Sequence, residues 1–107
     1  MINSNERKLT LSGWLRSHNP REYDSPLKLQ KFLLFYELFT KIAGEQADFD
    51  HLKGYKRGPV FSNVWGDYTK ERISFNNAIT EAYDKNQGNV ENNRAKKVKT
   101  RISSVKF

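Results

Sequence analysis

The stretch SPLKLQKFLLFYELFTKIAG, residues 25–44, decides the fold because it predicts a long helix that other elements must surround. Ser25 suits the N-cap of a helix, Pro26 suits its first position, and Gly44 stands where a helix ends. The centre, FLLFYELF, carries a single charge. A helix that is apolar nearly all round needs neighbours on every side. We therefore predict a mainly α-helical fold in which this segment forms the spine of the core.

Two flanking stretches also carry apolar residues at helical spacing. Residues 5–18 predict a short amphipathic helix, which Gly13 weakens. A further helix is predicted from Ser74, with a clean apolar stripe and Gly88 as its left-handed cap. The segment HNPREYD, residues 18–24, is predicted to be a loop because the residue before a proline avoids the helical region.

The segment HLKGYKRGPVFSNVWGDY, residues 51–68, changes character part way along. LKGYKR predicts a short extended segment, and the Gly-Pro pair at 58–59 predicts a turn that starts a helix. That helix would carry apolar residues at i, i+3, i+4 and i+7: Phe61, Val64, Trp65 and Tyr68. Gly66 lies inside it, and we expect a close contact with another helix there.

Composition indicates one small folded domain without thiol chemistry. The chain has 107 residues, including seven Phe, five Tyr and two Trp, and no Cys. Aromatic residues at this density favour a packed core over disorder. The polar start MINSNERKLT and the shortness of the apolar run FLLFY predict a cytoplasmic location without a membrane span.

The net charge of +7 is concentrated at the C-terminus. Residues 94–107 contain six basic residues and no acid, whereas residues 1–93 contain 13 basic and 12 acidic residues. The sequence therefore predicts a helical domain over 1–93 and a basic C-terminal tail over 94–107. The apolar pattern of the tail fits a helix and an alternating strand equally well, so a short β element is expected either at 52–57 or in the tail.

Catalytic and metal-binding patterns are sparse. His18 and His51 are the only histidines, and His51 follows Asp48 and Asp50 in DFDH. Three ligands at this spacing would form an unusual site, so we interpret the segment as a solvated acidic loop. The sequence shows no glycine-rich phosphate loop, HExxH or GxSxG pattern. We predict that the chain is not an enzyme and needs no cofactor or metal.

Two basic residues at the start of the spine helix are not explained by local preference. Lys28 and Lys31 lie one turn apart on its exposed side, where they oppose the helix dipole by a few tenths of a kcal/mol. A solubilising role, a partner contact and a capping network remain alternatives at this point.

Taken together, the two segments SPLKLQKFLLFYELF and LKGYKRGPVFSNVWGDY resemble the Panacea domain, the SocA-like antitoxin domain of bacterial and phage genomes. That family shows a T/S-P-L-K-L-Q-K-L helix start. After a variable loop it shows an aromatic residue, a basic or aromatic residue, G-P-V and a downstream aromatic. The resemblance covers roughly residues 8–83. Family members usually continue through further helices, whereas this chain continues into its basic tail.

The resemblance implies a mainly helical domain that neutralises a toxin by direct contact or delivers it to a protease, without cofactor or catalysis. The partner-binding residues that we predict on this basis are Lys28, Lys31, Tyr55, Lys56 and Arg57.

Two other functions remain open. The chain is alternatively a small nucleic-acid-binding protein whose tail contacts phosphates through Arg94, Lys96, Lys97, Lys99 and Arg101. A third interpretation is a phage inhibitor of a host defence enzyme or nucleic-acid-handling enzyme.

Overall fold

The computed structural model describes residues 1–86 and 90–103, and it confirms a mainly α-helical single domain with one small β element. The described helices are α1 Glu6–His18, α2 Pro20–Tyr23, α3 Pro26–Ile42, α4 Ser62–Lys70, α5 Arg72–Lys85 and α6 Val90–Ser103. The strands β1 Leu52–Tyr55 and β2 Gly58–Phe61 form an antiparallel hairpin.

Helix α3 is the spine of the core, as its sequence predicts. The Ser25 side chain caps it by accepting a hydrogen bond from the backbone N–H of Lys28, and Gly44 adopts a left-handed conformation just beyond its end. Helices α1, α2, α4 and α6 and strand β2 all pack on α3. They do not surround it completely, because the side chains of Leu38 and Ile42 are 38% and 80% exposed. The buried apolar side chains of α3 are Leu29, Phe32, Leu33 and Tyr36.

Helices α1 and α5 cross at Gly13. A Cβ atom at this position would lie 2.7 Å from the Cβ atom of Tyr83 and 2.9 Å from the backbone oxygen of Ile79. The glycine that weakens the α1 prediction therefore allows this crossing. The prediction of a close helix contact at Gly66 is wrong, since no atom of another described element lies within 4 Å of a Cβ atom at this position.

The prediction that the Gly-Pro pair starts a helix is also wrong. Gly58 and Pro59 lie in β2, and helix α4 begins only at Ser62. The register pairs Leu52 with Phe61, Lys53 with Val60, Gly54 with Pro59 and Tyr55 with Gly58. Gly58 has a φ of +119°, a conformation that favours glycine, so it allows the chain to turn back on β1. Pairing with β1 keeps the backbone extended where local signals favour a helical turn.

Two helix starts also differ from the sequence prediction. Residues 20–23 form a helical turn instead of a loop, because the Asn19 side chain caps it and Pro20 occupies its first position. The proline restricts only Asn19, which lies before the helix with φ −148° and ψ 78°. Helix α5 begins at Arg72, two residues before the predicted Ser74.

The basic C-terminal segment is helical as far as Ser103. Ala95 and Val98 are buried against the domain, and α6 packs on α3 and α1. The predicted boundary between residues 93 and 94 therefore falls inside a helix that is part of the core. The predicted cap at Gly88 and the last four residues lie outside the described part of the chain. Within the described residues, no helix is both long enough and apolar enough to cross a membrane.

Candidate functional site

A groove runs between the start of α3 and the β1–β2 hairpin. It consists of two adjoining cavities of about 360 and 180 Å³. The larger cavity is lined by Pro26, Leu27, Tyr55, Lys56, Arg57, Gly58, Val60 and Trp65. The smaller is lined by Leu27, Gln30, Lys31, Leu34, Phe35, Arg57, Gly58, Pro59 and Val60. The four residues common to both are Leu27, Arg57, Gly58 and Val60. The two segments that carry the family resemblance thus form one continuous surface.

The Gln30 side chain holds the hairpin against α3. Its Oε1 atom accepts a hydrogen bond of 2.8 Å from the backbone N–H of Phe61, and its Nε2 atom donates one of 3.4 Å to the Phe61 carbonyl. Gln30 and Phe61 are both buried, so Gln30 takes the place of water as the hydrogen-bond partner of the Phe61 N–H and C=O groups. One amide side chain therefore replaces the strand that would otherwise pair with this edge of β2, and it sets the position of the groove wall.

Aromatic rings form the outer wall of the larger cavity. Tyr55 is 43% exposed, and its ring meets that of Trp65 edge to face with a centroid separation of 6.1 Å. Trp65 is half-buried on the first turn of α4. The pair presents a rigid apolar surface of the kind that contributes strongly to protein interfaces.

The electrostatic character of the groove is positive. Lys31, Lys56 and Arg57 line its cavities, and no acidic side chain does so among the described residues. Lys56 and Arg57 form the turn at the tip of the hairpin; both are exposed, and neither has an ion-pair partner within residues 1–86 and 90–103. Lys28 is exposed on the first turns of α3 but does not line the groove. Of the five predicted partner-binding residues, four therefore come together; their role in binding stays a prediction.

The predicted nucleic-acid residues divide into two groups. Arg94 forms an ion pair with Glu45, and Lys99 Nζ lies 2.8 Å from an oxygen of Glu22. These two side chains attach α6 to the rest of the domain. The others line an open depression on the outer face of α6, of about 580 Å³, formed by Lys96, Lys97, Thr100 and Arg101.

The DFDH segment is held more firmly than a solvated loop. The Asp48 carboxylate accepts hydrogen bonds from the Asn5 side chain and the Asp50 backbone N–H and lies 3.3 Å from Lys8 Nζ. Burial, the largest single effect, raises the pKa of Asp48, but these partners together outweigh it and the pKa is lowered. His51 has a positive φ of 67°. The described residues contain no group of three or more acidic, histidine or cysteine side chains that could hold a metal ion.

Sequence reasoning missed a buried charge cluster beside this segment. Glu37 is fully buried and accepts hydrogen bonds from Arg7 Nε at 2.9 Å, Arg7 Nη2 at 2.5 Å and Lys8 Nζ at 2.7 Å. Its Oε1 atom also accepts one of 2.9 Å from the Asp48 backbone N–H. The cluster ties α1 and α3 to the segment that leads into β1. The single charge within the apolar centre of α3 was the available signal, because a buried carboxylate requires partners.

Gln30 and Trp65 are two of the groove residues that the sequence did not single out for partner binding. Gln30 lies next to Leu29 and three residues before Leu33, both of which are buried. Helical spacing therefore places Gln30 on the buried stripe of α3. A polar residue on such a stripe predicts a specific hydrogen-bond partner. Trp65 was assigned to an apolar helix face, and the structure places part of that face in the groove. No family model, curated protein or solved structure matches this chain.

Proposed function

We propose that this chain is a protein-binding module of the antitoxin type, which neutralises a partner protein, a toxin, by direct contact in the cytoplasm. The observation that supports this function best is the groove: SPLKLQK and YKRGPV, far apart in sequence, line one apolar surface with a basic rim. The resemblance to the Panacea domain rests on the same two segments.

The residue types in the groove suit a protein partner. Tyr, Trp and Arg are enriched where protein interfaces are strongest, and an apolar centre with a charged rim is the usual arrangement. In this groove the aromatic pair Tyr55 and Trp65 and the aliphatic Leu27 and Val60 supply the apolar surface. The hairpin tip supplies the charge.

The experiment is capture of partners from host lysate with the tagged chain, in nuclease-treated and untreated halves. We expect one dominant protein to survive nuclease treatment, and the double variant Lys56→Glu/Arg57→Glu to lose it. The matched control is Lys96→Glu/Lys97→Glu, which reverses two exposed charges on α6, away from the groove. Circular dichroism establishes that both variants fold. Capture that is unaffected by the hairpin variant, or lost with the α6 variant alone, contradicts the proposal.

Nucleic-acid binding is the second candidate, and the depression lined by Lys96, Lys97 and Arg101 favours it. It predicts recovery of nucleic acid in the untreated half and an affinity that falls steeply with salt. It also reverses the roles of the two double variants, because the α6 variant would then lose binding and the hairpin variant would keep it. In that case Arg94 and Lys99 would contribute less than Lys96 and Lys97, since the charges of Arg94 and Lys99 already pair with Glu45 and Glu22.

A further inference from the structure

We propose that the groove, in its role as the partner-binding site just described, takes an acidic segment of the partner with two apolar anchor side chains. The larger anchor enters the cavity beside Trp65, and the smaller enters the cavity beside Phe35. Carboxylates next to the anchors pair with Lys31, Lys56 and Arg57. This inference rests on the proposed function and adds the chemical class of the bound segment.

The division of the groove into two cavities indicates that the bound segment carries two anchor side chains. The cavity on the Trp65 side has about twice the volume of the cavity on the Phe35 side. Leu27 and Val60 line both cavities, so they form the floor that one bound segment would cross. A segment with a single apolar side chain would leave one cavity without apolar contacts. A large aromatic or Leu side chain suits the first cavity, and a smaller aliphatic side chain suits the second.

Recognition of the partner segment must depend on its side chains, because the nearby edge of β2 cannot pair with another strand. The backbone N–H and C=O of Phe61 already bind Gln30. Pro59, the other β2 residue whose backbone points away from β1, has no N–H to donate. Addition of a partner strand depends on a row of free backbone donors and acceptors. This edge offers only the Pro59 carbonyl, so the backbone of the partner contributes little.

The charge of the partner segment follows from the rim. Three basic side chains line the groove, and no acidic side chain does so among the described residues. Lys28 and Lys53 are exposed in the same two segments, although neither lines the groove. A basic segment would be repelled here, and a neutral one would leave Lys56 and Arg57 without an ion-pair partner among the described residues. Complementary charge therefore selects an acidic segment and raises its association rate.

The test uses a peptide array and the folded chain. The array displays short acidic peptides with one aromatic and one aliphatic anchor at varied spacing. Matched arrays replace the acidic residues by Lys or either anchor by Ser. The best peptide is then labelled with fluorescein and titrated by anisotropy against the wild-type chain, Lys56→Glu/Arg57→Glu, Trp65→Ala and Phe35→Ala, with Lys96→Glu/Lys97→Glu as control.

We expect the wild-type chain to bind acidic peptides with both anchors, and the hairpin variant to bind at least about tenfold more weakly. Trp65→Ala should weaken peptides with an aromatic anchor more than Phe35→Ala does. NMR spectra should show shifts confined to the groove, which keeps the test valid if one substitution impairs folding. Equal binding of basic peptides, or equal binding by the hairpin variant, overturns the proposal.

The remaining outcomes separate this inference from the proposed function. If no peptide binds while the hairpin variant still loses partner capture from lysate, the partner presents a folded surface. The inference is then wrong and the proposed function stands. If no peptide binds and the hairpin variant captures the partner normally, both are wrong.

Discussion

Replacement of the buried carboxylate in Glu37→Gln tests whether the charge cluster holds α1, α3 and the approach to the hairpin together. Glutamine keeps the shape of the side chain but removes its charge. Lys8 is only 2% exposed, and among residues 1–86 and 90–103 its ammonium would then keep Asp48, 3.3 Å away, as its one acidic partner. Arg7 is less affected because its side chain is 26% exposed and reaches water.

The size of the effect follows from the burial of both charges. Removal of one partner from a buried ion pair costs about 3–5 kcal/mol when the remaining charge is left uncompensated. Asp48 still compensates part of the Lys8 charge, so we expect the lower end of this range. Domains of this kind have a total free energy of unfolding of about 5–15 kcal/mol, so the variant should lose a large part of its stability. For a chain of this size we expect a drop in Tm of at least about 10 °C.

The assay is thermal and urea unfolding followed by circular dichroism, with two matched variants. Glu6→Gln removes an exposed ion pair, in which Lys85 Nζ lies 3.1 Å from Glu6 Oε1, and should cost less than about 1 kcal/mol. Lys8→Met/Glu37→Gln also removes the buried ammonium and keeps an oxygen at position 37 that accepts from Arg7 and the Asp48 backbone N–H, so it should recover much of the loss. The reasoning is refuted if Glu37→Gln changes stability no more than Glu6→Gln does.

Three further predictions concern the core and the groove wall. Gly13→Ala should destabilise the domain by about 1–3 kcal/mol through steric overlap at the α1–α5 crossing. Gly66→Ala should instead stabilise it by about 0.5–1 kcal/mol. Urea unfolding compares the two variants, and equal effects would contradict a close approach of α1 and α5 at Gly13. Burial raises the pKa of Tyr23 to about 12, so its stabilising contribution is complete below pH 10 and is lost as the pH rises to 12; unfolding measured across this range should be less pH-dependent in Tyr23→Phe. Gln30→Leu leaves the buried N–H of Phe61 without an acceptor and should cost about 1–3 kcal/mol; hydrogen exchange of that amide should rise, and unchanged exchange would show that Gln30 does not hold the strand.

The groove could be predicted from sequence only in part. The exposed positions of Lys31, Lys56 and Arg57 follow from local spacing, because they stand on the polar face of α3 and in a turn. Their proximity depends on Gln30 and Phe61, which are 31 residues apart. No local pattern specifies such a pair, so the sequence alone could not show that the two segments share one surface.

The sequence by itself determined the features that local chemistry sets. The cap at Ser25, the stop at Gly44 and the apolar period of α3 fix the position of the spine helix, since each acts within one or two turns of backbone. Only the tertiary structure decided features that depend on distant neighbours. Gly58 and Pro59 lie in a strand because pairing with β1 and the hydrogen bond between Gln30 and Phe61, at the end of the same strand, outweigh a helix-start signal. The basic segment forms a helix through residue 103 because burial against α3 and α1 selects one of two equally good local patterns.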